Sequence, residues 1–511
     1  MVAVAQNFSL VEINDFSGML NLSLSPYTIA PNEARDIRNL IADPSGQATL
    51  RGGYDLWGDT KSGKPVRGIH RFYSPALTQL LVASGKSIYV DDGSGTFVDV
   101  TDRDLSSEAR TEDQPHRFAT WYYKNECYIV NGADKPLRWD GQTLSVLPNA
   151  PVGAKFVTVY ADRLWMANLG DSQSQLRWSA PGDPQDWPAT NYAEFSQPIT
   201  GILAGFGTTP SVWSQVPAGQ LWAFQPGRIE VLIGDGGVTT TMGIRLAVDG
   251  IGCVAPGTLA TWGGYAFFLA DDGVYRFDGR NVKKISRNLG TLFEDTAPYL
   301  RQRAWGQVAD GRYWLSIPSG PGEENSVIYV YDFGLETWTK FTEIEAVSMF
   351  GTPGNPEEAL HMLWGDSEGR VWTYRPDSRK DARTPTSPGK DVIGYWKTGV
   401  FVPDKHHIVQ FRHLRIQYET SEGDIFLSWA IDSKSQTGSF TYGVRMPESS
   451  KWATTLWDEG HWANLRQAEH VLRGTFPMRA RGRSIELDLR MIGDGGVQSI
   501  QVLGYPVRRL R

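Results

Sequence analysis

Between residue 56 and about residue 380 one pattern recurs: an apolar stretch, a tight turn, then a shorter stretch ending in Tyr or Trp. One unit reads Leu80–Ala83, Ser87–Val90 and Gly95–Val100. A second reads Arg117–Tyr123, Glu126–Val130 and Leu137–Gly141, and a third carries Val157–Tyr160 and Arg163–Ala167. The clearest is Leu259–Trp262, Tyr265–Ala270, Gly273–Phe277 and Val282–Ile285. Arg312–Ile317 with Val327–Tyr331, and His361–Trp364 with Val371–Tyr374, extend the series. Asp-Gly pairs at Asp92-Gly93, Asp272-Gly273 and Asp278-Gly279 tolerate positive φ and so suit two-residue hairpins. Small antiparallel sheets repeated every ~40–50 residues predict a β-propeller of six or seven blades. The same strands could build a large irregular sandwich; the constant order of strand, turn and aromatic-ended strand favours the propeller. Composition agrees, because 54 Gly and 29 Pro supply turns while 19 Trp, 20 Tyr and 21 Phe favour strands.

The length of 511 residues calls for more than one domain. Residues 1–55 mix strand and helix signals, and Pro31–Leu40 predicts a short helix with Glu33 near its positive end. Residues 56–380 form the propeller. Asp381–Lys390, with two prolines and a glycine, reads as a linker. Residues 391–511 form a β-sandwich: Val409–Tyr418 and Ser484–Arg490 alternate apolar with polar, and Phe426–Ile431 and Ile500–Gly504 complete its sheets. The fold class expected is therefore all-β.

Charge and cysteine usage narrow the function. Fifty Lys and Arg against 57 Asp and Glu give a net charge of -7, which argues against a free-standing binder of nucleic-acid phosphates. Cys127 and Cys253 make no CxxC pair, zinc framework or disulfide lattice, so a reducing compartment is expected. No Lys or Arg precedes Arg35, and the longest apolar runs, such as Tyr265–Ala270, are strand-sized. The sequence thus predicts a soluble chain with neither a signal peptide nor a membrane span.

No catalytic, cofactor-binding or metal-ligating residue is assigned, and no enzyme activity is expected. Gly85-Lys86-Ser87 lacks the glycine of a phosphate loop, since Leu80 stands five residues before Gly85; it reads as a hairpin turn. There is no Gly-x-Ser-x-Gly elbow and no His-Glu-x-x-His helix. Asp91-Asp92-Gly93 and Asp271-Asp272-Gly273 lack the spaced oxygens of a calcium loop. Five of the eight histidines fall late in the chain, at His406, His407, His413, His461 and His470. His407 and His413 could share a strand face, but no Cys or Glu completes a metal set. Trp262, Trp314 and Trp364 lie in apolar stretches where burial, rather than sugar stacking, is the default. Asp332–Trp338 approaches the aspartate box of sialidase propellers, with its Trp one residue too far from the Asp.

The opening of the chain is the most specific signal. Phe16–Leu22, Ser25–Ala34, Asn39-Leu40, Asp43–Gly46 and Leu50–Tyr54 follow one another closely. In this order they resemble the start of the tail hub or nozzle proteins of short-tailed bacteriophages, the tail tubular protein B family. Leu20 stands where a second glycine is common in that family. Arg177–Trp187 resembles the family's "S-x-P-G-x-P-x-x-W" segment, and Val330–Phe333 with Trp338–Phe341 its late-blade signature. The resemblance touches most of residues 10 to 375. It implies a structural virion protein of the phage tail, assembled in the host bacterial cytoplasm as a homo-hexameric ring below the portal. The implied partners are the head-to-tail adaptor, tail fibre, spike or needle proteins, and double-stranded DNA passing through the channel, without membrane insertion. The alternative is a receptor- or glycan-binding, possibly glycan-hydrolysing, propeller of a tail fibre or spike. From Thr386 onward 17 basic residues face 13 acidic ones, whereas the preceding part carries 33 against 44. A conduit should not retain DNA, so the expected pore is acidic or neutral. Arg479, Arg481, Arg483, Arg508, Arg509 and Arg511 are then expected at neighbouring proteins or the ring's edge.

Overall fold

In the computed structural model the residues described are 9–509 except 76, 92–94, 205–219, 235–241, 295, 320–323, 352–361 and 445–468. Among them the strands of the repeat region form seven four-stranded antiparallel sheets. The first six are sequential: 66–99, 117–146, 156–194, 201–249, 260–284 and 305–342. The seventh joins Ser348–Gly351, Met362–Gly365 and Arg370–Arg375 to Gly53–Asp59, a strand that precedes the first sheet in the chain. The first strands of most successive sheets neighbour one another, the fourth and fifth sheets meet through Phe224 and Phe268, and Ser348–Gly351 of the seventh lies beside Val66–Tyr73 of the first, so the array closes as a propeller. The fourth sheet is absent from the units read off the sequence. Its central strands, Gln220–Phe224 and Arg228–Ile233, are joined through Gln225-Pro226-Gly227 rather than an Asp-Gly turn.

Hairpin turns follow the chemistry expected, at partly different places. Asp310-Gly311 joins Ala309 to Arg312 with φ of 51° and 69°, the two-residue hairpin that Asp-Gly favours. Gly263-Gly264 and Ala161-Asp162 do the same in the fifth and third sheets. Gly85-Lys86 is likewise a hairpin turn, between paired Ser84 and Ser87. The expected two-residue turn at Asp272-Gly273 is displaced by one residue: Ala270 pairs with Gly273, which leaves Asp271-Asp272 as the turn. Asp278-Gly279 opens a four-residue loop in which Asp278 Oδ1 accepts from the amides of Arg280 and Asn281. Asp92-Gly93 lies outside the described residues.

The sheets pack through aromatic and aliphatic layers. Trp139, Trp165, Trp314, Trp338 and Trp364 are all essentially fully buried. Trp314 meets Phe341 and Tyr374 edge-on, joining the sixth sheet to the seventh.

The C-terminal region is organised around two 25-residue strands, His407–Ile431 and Ile485–Arg509, paired along their length. A straight strand that long would span ~80 Å. Register shifts interrupt the ladder, among them one between Glu419 and Glu422, opposite the glycine-rich Gly493–Gly496. The halves thereby serve two layers of a sandwich. One half pairs with Glu469–Thr475 and Ser9–Ile13; the other pairs with Gln436–Val444 and Ile393–Thr398. Phe476 meets both Trp429 and Phe440 across the core. The four stretches expected to build the sandwich, two of them alternating, are thus the ends of two continuous strands.

The N-terminal segment corrects an expectation. Pro31–Leu40 is no helix: Pro31-Asn32 is a turn and Glu33–Arg38 is a strand. It lies between Met19-Leu20, in parallel, and Ile393–Thr398, antiparallel. A helix of about ten residues is marginal alone, and the waiting edge of Ile393–Thr398 supplies backbone partners and buries Ala34 and Ile37. Asp381–Lys390, read as a linker, is held by the pairing of Lys380-Asp381 with Lys390-Asp391. No helix among the described residues is long and apolar enough to cross a membrane.

Candidate functional site

Seven innermost strands surround the propeller axis, and the loops where they begin gather at one mouth. A cavity of about 550 Å³ lies there. Each sheet contributes at or just before its first strand: Arg67; Arg117; Lys155 and Phe156; Pro198 and Thr200; Val254 and Pro256; Arg303 and Trp305; and Val347. Asn131 and Asn168, from the returning second and third blades, reach the same mouth because antiparallel neighbours end where the inner strands start.

The charges at this mouth are unbalanced. Arg67, Arg117, Lys155 and Arg303 line it, while Asp113 is the lone carboxylate among the described lining residues. Asp113 is already engaged, bonding Arg67 at 2.7 Å, and Arg67 also reaches Glu324 at 3.2 Å. Burial opposes the Arg67 charge, but these two carboxylates outweigh it and hold the guanidinium above its ordinary pKa. Arg117 differs. It extends from the second sheet across the axis to the sixth, where its guanidinium lies 4.2 Å from the centre of the Trp305 ring. Trp305 is fixed by donating its indole N–H to the Met349 carbonyl at 2.9 Å. No described carboxylate forms an ion pair with Arg117, and burial pushes its pKa down to about 10. Asn168 donates to the Ile199 carbonyl at 2.6 Å, leaving its buried Oδ1 without a hydrogen-bond partner.

Glycan hydrolysis generally needs a pair of carboxylates flanking the scissile bond. Among its described lining residues this mouth presents cations around one carboxylate, Asp113, already paired with Arg67. Among the described residues no group of three or more His, Cys, Asp or Glu is gathered as a metal site. His407 bonds Asp404 at 3.0 Å, His406 and His413 are exposed, and His461 lies outside the described residues, as does the side chain of His470. Cys127 and Cys253 are separate buried thiols, both pushed up to about 12 by burial. The Asp332–Trp338 turn is a scaffold: Asp332 Oδ1 accepts from the amides of Gly334 and Leu335, and buried Trp338 donates to the Ile285 carbonyl.

A second place concentrates sequence signals, the junction of arm, propeller and sandwich. Arg51 is fully buried and donates two 2.7 Å bonds to Asp381. Its Nε donates to Asn39 Oδ1 at 2.9 Å, and the same oxygen accepts from the Thr342 amide of the sixth sheet. The Asn39 amide group in turn donates to the Ile393 carbonyl of the sandwich. Gly52 and Gly53 follow because backbone crowds them. A Cβ at Gly53 would lie 1.9 Å from the Lys380 carbonyl oxygen, and one at Gly52 2.4 Å from that of Arg375. Lys340 Nζ meets Asp36 at 2.6 Å, and the Leu22 amide donates to the Asn288 carbonyl. The Arg-Gly-Gly motif and the preceding segment therefore fasten the three parts together. The sequence marked these residues as a recognisable signature, but the mouth residues carried no mark because seven distant segments assemble them.

No family model and no curated protein matches this chain. Among solved structures it is similar to YCF48 bound to D1 peptide, at 11% identity and a TM-score of 0.36, covering 67% of this chain and 98% of that one. PorZ, an essential surface component of the type-IX secretion system of Porphyromonas gingivalis, gives 11% and 0.38, covering 75% of this chain and 46% of PorZ. XC5397, a gluconolactonase from Xanthomonas campestris, gives 11% and 0.33, covering 66% and 94%. Likenesses this distant say nothing about what the chain binds or does.

Proposed function

We propose that this chain is a structural subunit of a bacteriophage tail, a hub or nozzle protein that closes into a ring around the DNA ejection channel. The observation that carries the reading is the place of the family-like segments. Residues 16–54 hold the stretches that resemble the nozzle family, and they are woven between the sixth propeller sheet and the sandwich through Arg51, Asn39 and Asp36. A wall subunit around a passage must keep its two domains in fixed relation, and a buried ion pair with interlocking strands does so. In this reading the protein carries out no reaction. It resides in the virion tail after assembly in the host cytoplasm, and meets an adaptor ring on one side and fibre, spike or needle proteins on the other.

A closed ring of six needs two different complementary patches on each subunit. The passage would be lined by acidic or neutral surface, so that phosphates are not retained. Arg479 and Arg483 are exposed on the sandwich, and exposed Arg481 lies in the short strand Arg481–Gly482 with its Nε donating to Gln410; the Arg508 and Arg509 side chains and Arg511 lie outside the described residues. Cryo-electron microscopy of the purified protein, with light scattering for its mass, tests the proposal. The expected result is a six-fold ring with a pore of duplex width and weak DNA binding. A monomer at micromolar concentration that turns over a polysaccharide would overturn it in favour of a fibre or spike enzyme.

A further inference from the structure

The propeller mouth holds an unmet electrostatic demand that the ring proposal does not use. Arg117 crosses the axis with an aromatic face as its described partner, Lys155 stands exposed at the start of the third sheet, and Asn131, Gln173 and Thr200 add polar groups to the same lining. A guanidinium is a planar fork matched to carboxylate or phosphate oxygens, and a charge removed from water is costly until paired. Apolar Phe156, Pro198, Val254, Pro256 and Val347 are interspersed with these polar groups in the walls. At about 550 Å³ the cavity falls in the size range of small-molecule sites, roughly 300–1,000 Å³.

We propose that this mouth binds a small hydroxylated oxyanion, a sugar acid or a sugar phosphate, with its anionic group on Arg117 and its hydroxyls on the polar side chains of the lining, Asn131, Gln173 and Thr200. Lys155 adds attraction at the rim. The Arg67 guanidinium, already shared between Asp113 and Glu324, shapes the wall rather than the anion site. The inference is independent of ring assembly, since every residue in it comes from one chain.

Isothermal titration at low salt with D-glucuronate, glucose 6-phosphate, inorganic phosphate and neutral glucose tests it. Wild-type protein is expected to bind at least one of the two sugar anions with millimolar affinity or better, more weakly as salt rises, and to bind glucose at least about tenfold more weakly. Binding of one sugar anion over the other identifies the source of the oxyanion. Arg117→Gln is expected to lose at least about tenfold in affinity. Lys155→Gln, at an exposed position that leaves folding intact, is expected to lose about threefold. Absence of binding by either sugar anion at 20 mM overturns the proposal, and so does unchanged affinity in Lys155→Gln together with no salt dependence. Inorganic phosphate binding as tightly as the sugar anions overturns recognition of the hydroxyl. If Arg117→Gln does not fold, the Lys155 variant and the salt series still decide.

Discussion

The propeller and the sandwich are both antiparallel β-structure, but they are assembled from opposite materials. Six of the seven propeller sheets are closed by strands that follow one another in the chain, joined by short turns. The sandwich draws on both ends: strands between residues 9 and 50 join strands between 393 and 509 in one continuous hydrogen-bonded network. The seventh propeller sheet belongs with the sandwich in this respect, because Gly53–Asp59 pairs with Arg370–Arg375. Local turn chemistry therefore governs most of the propeller. Long-range fastening governs its closure and its attachment to the sandwich, and mutations at the two kinds of site should differ in size.

The largest effect is expected at the fastening. Arg51→Met leaves Asp381 buried without its cation and should destabilise the protein by about 3–5 kcal/mol in urea unfolding. Probes in the sandwich and the propeller, coincident in the wild type, should then separate. Coincident transitions with an unchanged midpoint would show that the junction does not couple the parts.

Next comes closure. Gly53→Ala drives a Cβ toward the Lys380 carbonyl and should cost about 3 kcal/mol, at the upper end for overpacking. Limited proteolysis should open the seventh sheet before the first six, and a wild-type cleavage pattern would contradict this placement of the N-terminal strand.

Acid should discriminate between the domains more gently. Burial holds His116 down at about 4 against an ordinary value of 6.5, so the folded state favours its neutral form. Its contribution is complete above pH 6.5 and is lost as pH falls toward 4, roughly 2 kcal/mol between pH 7 and pH 5. His70, shifted in the same direction by burial, also lies in the propeller. Unfolding followed against pH should show the propeller weakening over this window, and His116→Gln should flatten the slope. A slope unchanged in that variant would assign the acid sensitivity elsewhere.

The smallest effect is expected at an isolated turn. Gly311 has φ of 69° and open space around its Cβ position, so Gly311→Ala meets only backbone strain, about 1 kcal/mol. Thermal unfolding should register that loss with no change in domain coupling. A loss as large as that of Arg51→Met would erase the contrast between local and long-range sites.

Legibility in the sequence divided along the same line. The stretches Tyr265–Ala270 and Gly273–Phe277 could be read because alternation, aromatic enrichment and a turn signal all sit within a dozen residues. The fourth sheet is harder to see: its central strands turn through Pro-Gly, and its outer strands, Gly201–Ala204 and Gly243–Asp249, lack the aromatic ending. At the candidate site almost nothing was legible, since Arg117 and Trp305 are 188 positions apart and neither belongs to a motif.

By itself the sequence determined an all-β chain of small repeated sheets followed by longer alternating strands, because those periodicities are local properties of the backbone. Only the tertiary structure decided which strand completes the seventh sheet, that Glu33–Arg38 is a strand rather than a helix, and that the four sandwich stretches are two continuous strands. It also placed Arg117 across the axis. Each of these depends on partners far away in the chain, whose hydrogen bonds and buried surface outweigh the weak preferences of a short segment.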